Sequence, residues 1–311
     1  MNNRIALPKT ELSVHPLCLG GNVFGWSADE SESFAVLDAY VEAGGNFIDT
    51  ADVYSEWKPG NTGGESERII GKWMKARGNR SQMVIATKVA KLSTRPGLSA
   101  ANIRSAAEDS LARLQTDYID LYYAHEDDTK IPLTQTLEAF NALVVDGKVR
   151  YIAASNYSAA RLREAIHISQ TYNWASYVAL QNHYNLLERK EFESDVAPAL
   201  SSMGISALPY FGLARGFLSG KYAAGAKIDS VRADGVSEYQ NERGYAAVAR
   251  LEELAKAHNA PVSAIALAWL RAQSVVSTPI ASARTVDQLK EIVRVVNLTS
   301  DEVESLSAIT A

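Results

Sequence analysis

Short apolar segments alternate with segments of helical periodicity along the chain, and this alternation limits the possible folds more than any other feature. The apolar runs are typical of buried strands. We predict strands at 17–21, 46–48, 83–87, 118–124, 151–154, 177–180, 205–208 and 275–280. We predict helices at 65–76, 101–114, 133–148 with Gly147 as its stop, 158–169 and 285–296.

Eight strands, each followed by a helix, are typical of a TIM barrel, a closed parallel sheet ringed by helices. The predicted fold class is therefore α/β, a (β/α)8 barrel. The first 16 residues precede the first barrel strand, and we expect them to form a hairpin that closes the barrel floor. The segment 211–242 is rich in Gly, Ser and charged residues, which predicts a long loop that is functional or mobile.

The chain of 311 residues would ordinarily suggest two domains, but one α/β barrel also takes up this length. Neither a low-complexity linker nor a change of composition divides the sequence. We therefore expect a single domain over residues 1–311.

Composition excludes several classes of protein. The formal net charge of −5 implies no basic face, so nucleic-acid binding is not expected. The single cysteine, Cys18, lies between two leucines; it excludes an internal disulfide framework and predicts a core residue. No apolar run approaches the roughly 18 residues of a membrane span, and MNNRIALPKT has no signal core. We expect a cytoplasmic protein, and the sequence indicates no oligomeric state.

The candidate site is found by asking which residues follow each apolar run, because TIM-barrel active sites lie at the C-terminal ends of the strands. Asp49 follows the second run, with Tyr54 in the loop behind it. Lys88 follows the third run and His125 follows the fourth. The later runs are followed by Ser155, Asn156, Gln181, Asn182, Tyr210, Ser282 and Arg284.

Four of these side chains form a coherent chemical set. A phenol has an unperturbed pKa of about 10, and a nearby ammonium lowers it. Lys88 can supply that charge to Tyr54, and Asp49 can hold and balance Lys88. Tyr54 then acts as a general acid toward a developing alkoxide, and His125 donates a second hydrogen bond to the same oxygen. The set is suited to protonating a carbonyl oxygen while another group attacks its carbon.

Each of these residues also has a purely structural interpretation. Asp49 alone could be a helix N-cap, Lys88 a surface lysine and His125 a hydrogen-bonded core histidine. Their joint position at strand ends favours the catalytic interpretation. The acidic residues 126–128 have no partner at metal-ligand spacing, so no metal site is predicted.

At these residues the sequence resembles the aldo-keto reductases, from LCLGGNVFG (17–25) to the last helix. The matching motifs are NFIDTADVY (46–54), ATKVA (86–90), DLYYAHEDD (120–128), GKVRYIAASN (147–156), PYFGLARGFLSGKY (209–222) and IASARTVDQL (280–289). The resemblance implies a TIM barrel, an NADPH cofactor extended across the strand ends and hydride transfer to aldehydes or ketones. The family's four catalytic positions fall on Asp49, Tyr54, Lys88 and His125.

The resemblance also assigns the cofactor contacts. Carboxamide binding is implied for Ser155, Asn156 and Gln181, and nicotinamide stacking for Tyr210. The segment from Gly212 to Gly216, with Arg215 and Lys221, corresponds to a loop that covers the pyrophosphate. Ser282, Arg284 and Gln288 correspond to the 2′-phosphate segment. The full set of expected cofactor contacts is Gly21, Asn22, Ser155, Asn156, Gln181, Tyr210, Gly212, Leu213, Arg215, Gly216, Lys221, Ser282, Arg284 and Gln288.

The sequence departs from the family pattern in two places. Ile292 stands where an asparagine often contacts adenine, and the segment SEWKPGNTGG after Tyr54 is longer than the usual short link. This longer loop places Trp57 near the substrate mouth, and we expect Trp57 and Trp26 to line the substrate pocket.

Three functions agree with these observations. The first is an NADPH-dependent carbonyl reductase acting on a small molecule. The second is a cofactor-holding sensor or regulatory subunit with little turnover, and the third is a barrel isomerase or lyase without nicotinamide. The sequence favours the first and does not identify the substrate.

Overall fold

The computed structural model describes residues 4–222 and 233–311, with the side chains of residues 233 and 234 left out. Within this part of the chain, a short antiparallel pair precedes eight parallel strands. The pair consists of β1 (Ile5–Ala6) and β2 (Ser13–Val14). The parallel strands are β3 (Cys18–Gly20), β4 (Phe47–Asp49), β5 (Val84–Val89), β6 (Ile119–Ala124), β7 (Val149–Ser155), β8 (Tyr177–Gln181), β9 (Ser206–Ala207) and β10 (Ile280–Ala281).

The parallel strands follow the order β10-β3-β4-β5-β6-β7-β8-β9, so strands that are consecutive in sequence are neighbours in space. The two ends of this row meet through the segment that precedes β10. The Ala207 N–H donates to the carbonyl of Val275 at 2.7 Å, and the Ser277 N–H donates to the carbonyl of Ala207 at 3.1 Å. The (β/α)8 prediction is therefore confirmed.

Ten α-helices lie in the described residues, most of them after a barrel strand. They are α1 (Glu30–Glu42), α2 (Glu65–Arg77), α3 (Ala100–Leu114), α4 (Leu133–Val145), α5 (Ala159–Thr171), α6 (Ala197–Met203), α7 (Glu242–Ala257), α8 (Val262–Arg271), α9 (Val286–Ile292) and α10 (Ser300–Ile309). Several begin at a side-chain cap that accepts from a first-turn N–H, as Ser99 does for α3 and Ser158 for α5. None of these helices is both long and apolar enough to cross a membrane.

The largest differences between the structure and the predicted elements are at three ends. The eighth strand is Ile280–Ala281 rather than 275–280, because Pro279 has no N–H to donate and interrupts the ladder. Helix α4 ends at Val145, two residues before Gly147, which has a left-handed φ of 71°. Helix α9 ends at Ile292 rather than at residue 296, and no Gly or Pro marks that end in the sequence.

The N-terminal hairpin covers the end of the barrel where the strands begin. Its buried apolar side chains share one cluster with the first residues of β4 and β5, so the predicted position at the barrel floor is confirmed. Cys18 is fully buried in the same cluster, as expected for a core residue. The cluster includes Leu7, Leu12, Val14, Cys18, Phe47, Val84, Leu121, Tyr123 and Leu208.

The segment predicted as one long loop, 211–242, contains short 3₁₀ turns at Ala214–Ser219 and Ala233–Tyr239. Residues 223–232 of that segment lie outside the described residues.

Candidate active site

Asp49, Tyr54 and Lys88 form one hydrogen-bonded group at the C-terminal ends of β4 and β5. The Lys88 Nζ lies 2.7 Å from Asp49 Oδ2 and 2.9 Å from the Tyr54 hydroxyl oxygen. The Tyr54 hydroxyl in turn donates to Asp49 Oδ2 at 3.1 Å. Asp49 and Lys88 are both buried, whereas Tyr54 is partly buried and faces the cavity.

Two further contacts fix this group. The Lys88 ammonium donates its third hydrogen bond to the carbonyl of Thr50 at 2.8 Å, which uses all three of its N–H donors. The side-chain amide of Gln181, at the end of β8, donates to Asp49 Oδ1 at 2.9 Å. A strand on the far side of the barrel therefore helps to orient the carboxylate.

The environment of Tyr54 differs from the expectation that Lys88 lowers its pKa. Burial raises the pKa of Tyr54 well above its usual value, and the negative charge of Asp49 raises it further. The ammonium of Lys88 does not outweigh these effects. Burial also lowers the pKa of Lys88, although Asp49 opposes that change. The phenol is therefore fully protonated in the free protein, which is the state required of a proton donor.

His125 follows β6 and stands beside Tyr54, with 6.1 Å between the two ring centroids. Burial, followed by the positive charges of Lys88 and Lys91, lowers the pKa of His125 well below its usual value. Its backbone carbonyl accepts from the side-chain amide of Asn156 at 2.9 Å. A neutral imidazole offers one N–H donor and one acceptor, so His125 can donate a hydrogen bond without carrying charge.

A cavity of about 780 Å³ opens over these residues at the C-terminal ends of the barrel strands. Its size is within the range of small-molecule and cofactor sites. Most of the residues expected in a site line it: Asn22, Asp49, Tyr54, Trp57, His125, Ser155, Asn156, Gln181, Tyr210, Gly212, Leu213, Arg215, Gly216, Lys221, Ser282, Arg284 and Gln288.

Four of the expected site residues do not line the cavity. One is Asn182, whose Oδ1 accepts from the backbone N–H of Asn156 at 2.8 Å. Lys88 lies beneath it and reaches it only through Tyr54. A Cβ atom on Gly21 would lie 2.7 Å from the Ser66 hydroxyl, so this glycine permits close packing behind the site. Trp26 packs edge-on against Trp57, with 5.6 Å between the ring centroids, and so supports a residue that lines the cavity without lining it itself.

The polar residues after β7 and β8 form a second hydrogen-bonded group in the cavity. The Tyr210 hydroxyl donates to Asn156 Oδ1 at 2.8 Å, and the Ser155 hydroxyl donates to the carbonyl of Gln181 at 2.8 Å. The Tyr210 ring stacks on His183, with 5.5 Å between centroids and 15° between planes. These contacts hold an aromatic ring and several amide groups in fixed positions at the middle of the cavity.

Three cationic side chains, Arg215, Lys221 and Arg284, line the part of the cavity that follows β9 and β10. Within residues 4–222 and 233–311, none of the three forms an ion pair. Gly216, in the same segment, has a left-handed φ of 101°, which a residue with a side chain rarely adopts. Unpaired cations that face one cavity fit a ligand with several negative charges.

The structure adds lining residues that the strand-end argument missed. Phe211 directly follows Tyr210 and Lys91 lies three residues after Lys88, so their closeness to predicted site residues in the sequence could have indicated them. Ile292, which the resemblance places at an adenine contact, also lines the cavity. Ser263 comes from helix α8, and nothing in the sequence indicates its position in the site. The other added residues are Gly20, Val23, Ser219, Gly220, Ile280, Ala281 and Glu291.

Known proteins resemble this chain over most of its length. Residues 16–311 match the model of the Aldo/keto reductase family. "Uncharacterized oxidoreductase YrpG" of Bacillus subtilis is 35% identical over 95% of this chain and 91% of its own length. "Protein tas" of Escherichia coli is 34% identical over 95% and 93%, and "Norsolorinic acid reductase A" of Aspergillus parasiticus is 31% identical over 97% and 79%.

The chain therefore belongs to the aldo/keto reductase family. This family consists of oxidoreductases that generally use NAD(P)H and act on small carbonyl compounds.

A second buried carboxyl group lies close behind the site. Asp52 is 1% exposed, and its backbone N–H donates to the carbonyl of Lys88 at 3.1 Å. Burial and the neighbouring Glu67 raise the pKa of Asp52 to about 7, while Arg113 partly opposes this shift. Arg113 already forms an ion pair with Glu67, with 2.5 Å between Arg113 Nε and Glu67 Oε2. The ionised form of Asp52 is therefore unfavourable in the folded protein.

We expect Asp52→Asn to raise the free energy of unfolding above about pH 7. A carboxyl whose pKa is higher in the folded than in the unfolded state destabilises the fold once both states are ionised. Its pKa rises from an unfolded value of about 4, so the gain is up to about 4 kcal/mol above pH 7 and disappears as the pH falls toward 4.

Urea denaturation of both proteins across this pH range measures the effect. Asp117→Asn is the matched control, because Asp117 is exposed and its replacement should change little at any pH. A gain for Asp52→Asn that is independent of pH would contradict the explanation.

Proposed function

We propose that residues 1–311 form one catalytic domain that reduces aldehydes or ketones to alcohols with NADPH. The contact among Asp49, Lys88 and Tyr54 at the base of the cavity carries this proposal, because it presents a protonated phenol backed by a buried ammonium. Membership of the family supports the reaction class, and a relative named as a reductase agrees with the direction.

The lining of the cavity fits NADPH. We assign the carboxamide to Ser155, Asn156 and Gln181, and the nicotinamide ring to the face of Tyr210. Gln181 already uses its amide N–H on Asp49, so its Oε1 remains to accept from the carboxamide. When bound, the cofactor supplies the hydride.

The phosphates of the cofactor are assigned to the cationic part of the cavity. Arg215 and Lys221, with the backbone of the segment from Gly212 to Gly216, bind the pyrophosphate. Ser282, Arg284 and Gln288 bind the 2′-phosphate, and Asn22 is a further contact. Gly21 contributes by permitting close packing behind the site. Gln288 Oε1 accepts from the backbone N–H of Arg284 at 3.0 Å, which leaves the side-chain amide donors of Gln288 for the phosphate.

The proton for the product oxygen comes from Tyr54. In the structure its hydroxyl donates to Asp49 and accepts from Lys88, so rotation about the phenol C–O bond redirects the proton toward a carbonyl oxygen in the cavity. The ammonium of Lys88 then stabilises the phenolate. His125 donates a hydrogen bond to the same carbonyl oxygen, which favours the developing negative charge.

The experiment that tests this function is a steady-state measurement of NADPH oxidation with a series of simple aromatic aldehydes. Sustained turnover supports a reductase. Tight cofactor binding without turnover would instead indicate a sensor or regulatory subunit, and no change in NADPH fluorescence on mixing would contradict cofactor binding.

Tyr54→Phe should lower turnover by about 10²- to 10⁴-fold, the usual contribution of general acid catalysis. The ring and the cofactor contacts remain, so NADPH affinity should change little. Tyr122→Phe is the matched control, because it removes a buried tyrosine hydroxyl from β6 that does not face the cavity. If Tyr54→Phe retains more than about a tenth of wild-type turnover where chemistry limits the rate, Tyr54 is not the acid.

Arg284→Ala should weaken NADPH binding by about ten- to a hundredfold and leave NADH binding nearly unchanged. The guanidinium provides a charge-assisted hydrogen bond of about 1.5–3 kcal/mol to the 2′-phosphate, which NADH lacks. Dissociation constants from fluorescence titration test this, with Lys290→Ala on the exposed side of α9 as the control. Equal weakening of both cofactors would remove Arg284 from the 2′-phosphate site.

Trp57→Ala should raise the Michaelis constant for bulky substrates more than for small ones. Trp57 lines the cavity and is 47% exposed, so its ring is available to cover an apolar part of the substrate. Michaelis constants across a series of aldehydes of increasing size test this, with Tyr172→Ala as a control at an exposed aromatic residue outside the cavity. Equal constants across the series would exclude Trp57 from the substrate wall.

A further inference from the structure

The cavity contains a cation that the proposed mechanism does not use. Lys91 follows β5 and lines the cavity together with Tyr54, Trp57 and His125. It is close enough that its charge, after burial and Lys88, contributes to lowering the pKa of His125. Unlike Lys88, which is fully buried, the side chain of Lys91 is 35% exposed.

The position of Lys91 separates it from the cations assigned to the cofactor. Arg215 and Lys221 follow β9, and Arg284 follows β10. In the strand order of the barrel, β5 lies three strands from β10 and, counted in either direction around the ring, at least four from β9. Lys91 is therefore across the cavity mouth from the phosphate-binding side, on the side where the carbonyl substrate meets Tyr54 and His125.

The present partner of Lys91 holds it only weakly. Its Nζ lies 3.5 Å from Glu126 Oε2, and the two side chains are 35% and 46% exposed. Exposed ion pairs of this kind contribute little stability, so the ammonium can exchange this carboxylate for an anion in the cavity. Glu126 itself does not line the cavity.

Apolar ring surface lies in the same cavity. Trp57 and Phe211 are two of the four large hydrophobic side chains that are exposed in the described residues, and both line the cavity. Trp57 is held by edge contacts with Trp26 and Tyr54, at 5.6 and 6.1 Å between ring centroids. A flat apolar ligand would cover these rings and remove their surface from water.

We propose that the substrates are aromatic aldehydes or ketones that carry an anionic group, with Lys91 as the residue that binds the anion. This inference rests on the proposed reductase function. The carbonyl lies at Tyr54 and His125, the aromatic ring lies against Trp57, and the anionic substituent faces the ammonium of Lys91.

The test compares 3- and 4-formylbenzoate with their methyl esters, which keep the ring and the carbonyl but remove the charge. In the wild type, we expect kcat/KM with NADPH to be higher for at least one of the two anions than for its ester. Lys91→Met should reduce this ratio of anion to ester on the order of tenfold, because one charge-assisted contact is lost. Lys91→Arg should preserve most of the ratio.

Two further variants show whether the preference for the anion comes from a direct contact with Lys91 or from the overall charge of the protein. Lys130→Met removes the same charge from an exposed position on the loop after β6 and should leave the ratio unchanged. Glu126→Gln removes the competing carboxylate and should increase the ratio. Thermal unfolding and NADPH titration of Lys91→Met identify any loss that is due to misfolding or to a damaged cofactor site.

The outcomes distinguish this inference from the function on which it rests. No turnover of any of the four aldehydes by the wild type contradicts the reductase function. Turnover of the esters without a preference for either anion contradicts only the assignment of Lys91. An equal loss for anion and ester in Lys91→Met, or an equal effect of Lys130→Met, also overturns it.

Discussion

The arrangement of the site depends on a single buried ammonium. A lysine with no exposure must have every N–H donor satisfied, because an unpaired buried charge costs several kcal/mol. Lys88 meets this requirement with Asp49, the carbonyl of Thr50 and Tyr54, all from the end of β4 and the loop behind it. The same contacts that satisfy the buried ammonium therefore fix the positions of the carboxylate and the phenol.

Burial acts in opposite directions on the two proposed hydrogen-bond donors and leaves both uncharged. It raises the pKa of Tyr54 and lowers the pKa of His125, because removal from water disfavours the charged form of either group. The cavity thus presents two neutral donors beside one compensated cation. Such a site donates ordinary hydrogen bonds to an uncharged carbonyl group. These hydrogen bonds become stronger when negative charge develops on the carbonyl oxygen.

Much of the fold and of the site could be predicted from the sequence, because parallel strands bring the residues after each apolar run to one end of the barrel. That rule located Asp49, Lys88, His125 and the polar residues of the later strands. It failed where position depends on tertiary packing, as with Ser263, which reaches the cavity from a helix. The expectation of a lowered pKa for Tyr54 is based on the charge of Lys88 alone. Burial raises this pKa instead, and the extent of burial cannot be obtained from neighbours in the sequence.

The closure of the barrel joins parts of the chain that are far apart in sequence. β3 pairs with β10, and the Ser282 hydroxyl donates to Asn22 across 260 positions. Such contacts can form only when both distant segments are present, and closing the intervening loop costs conformational entropy. During synthesis on the ribosome, the cavity therefore has no complete wall until β10 and the segment after it have emerged, so a ligand that contacts both ends of the strand order can bind only once the barrel has closed.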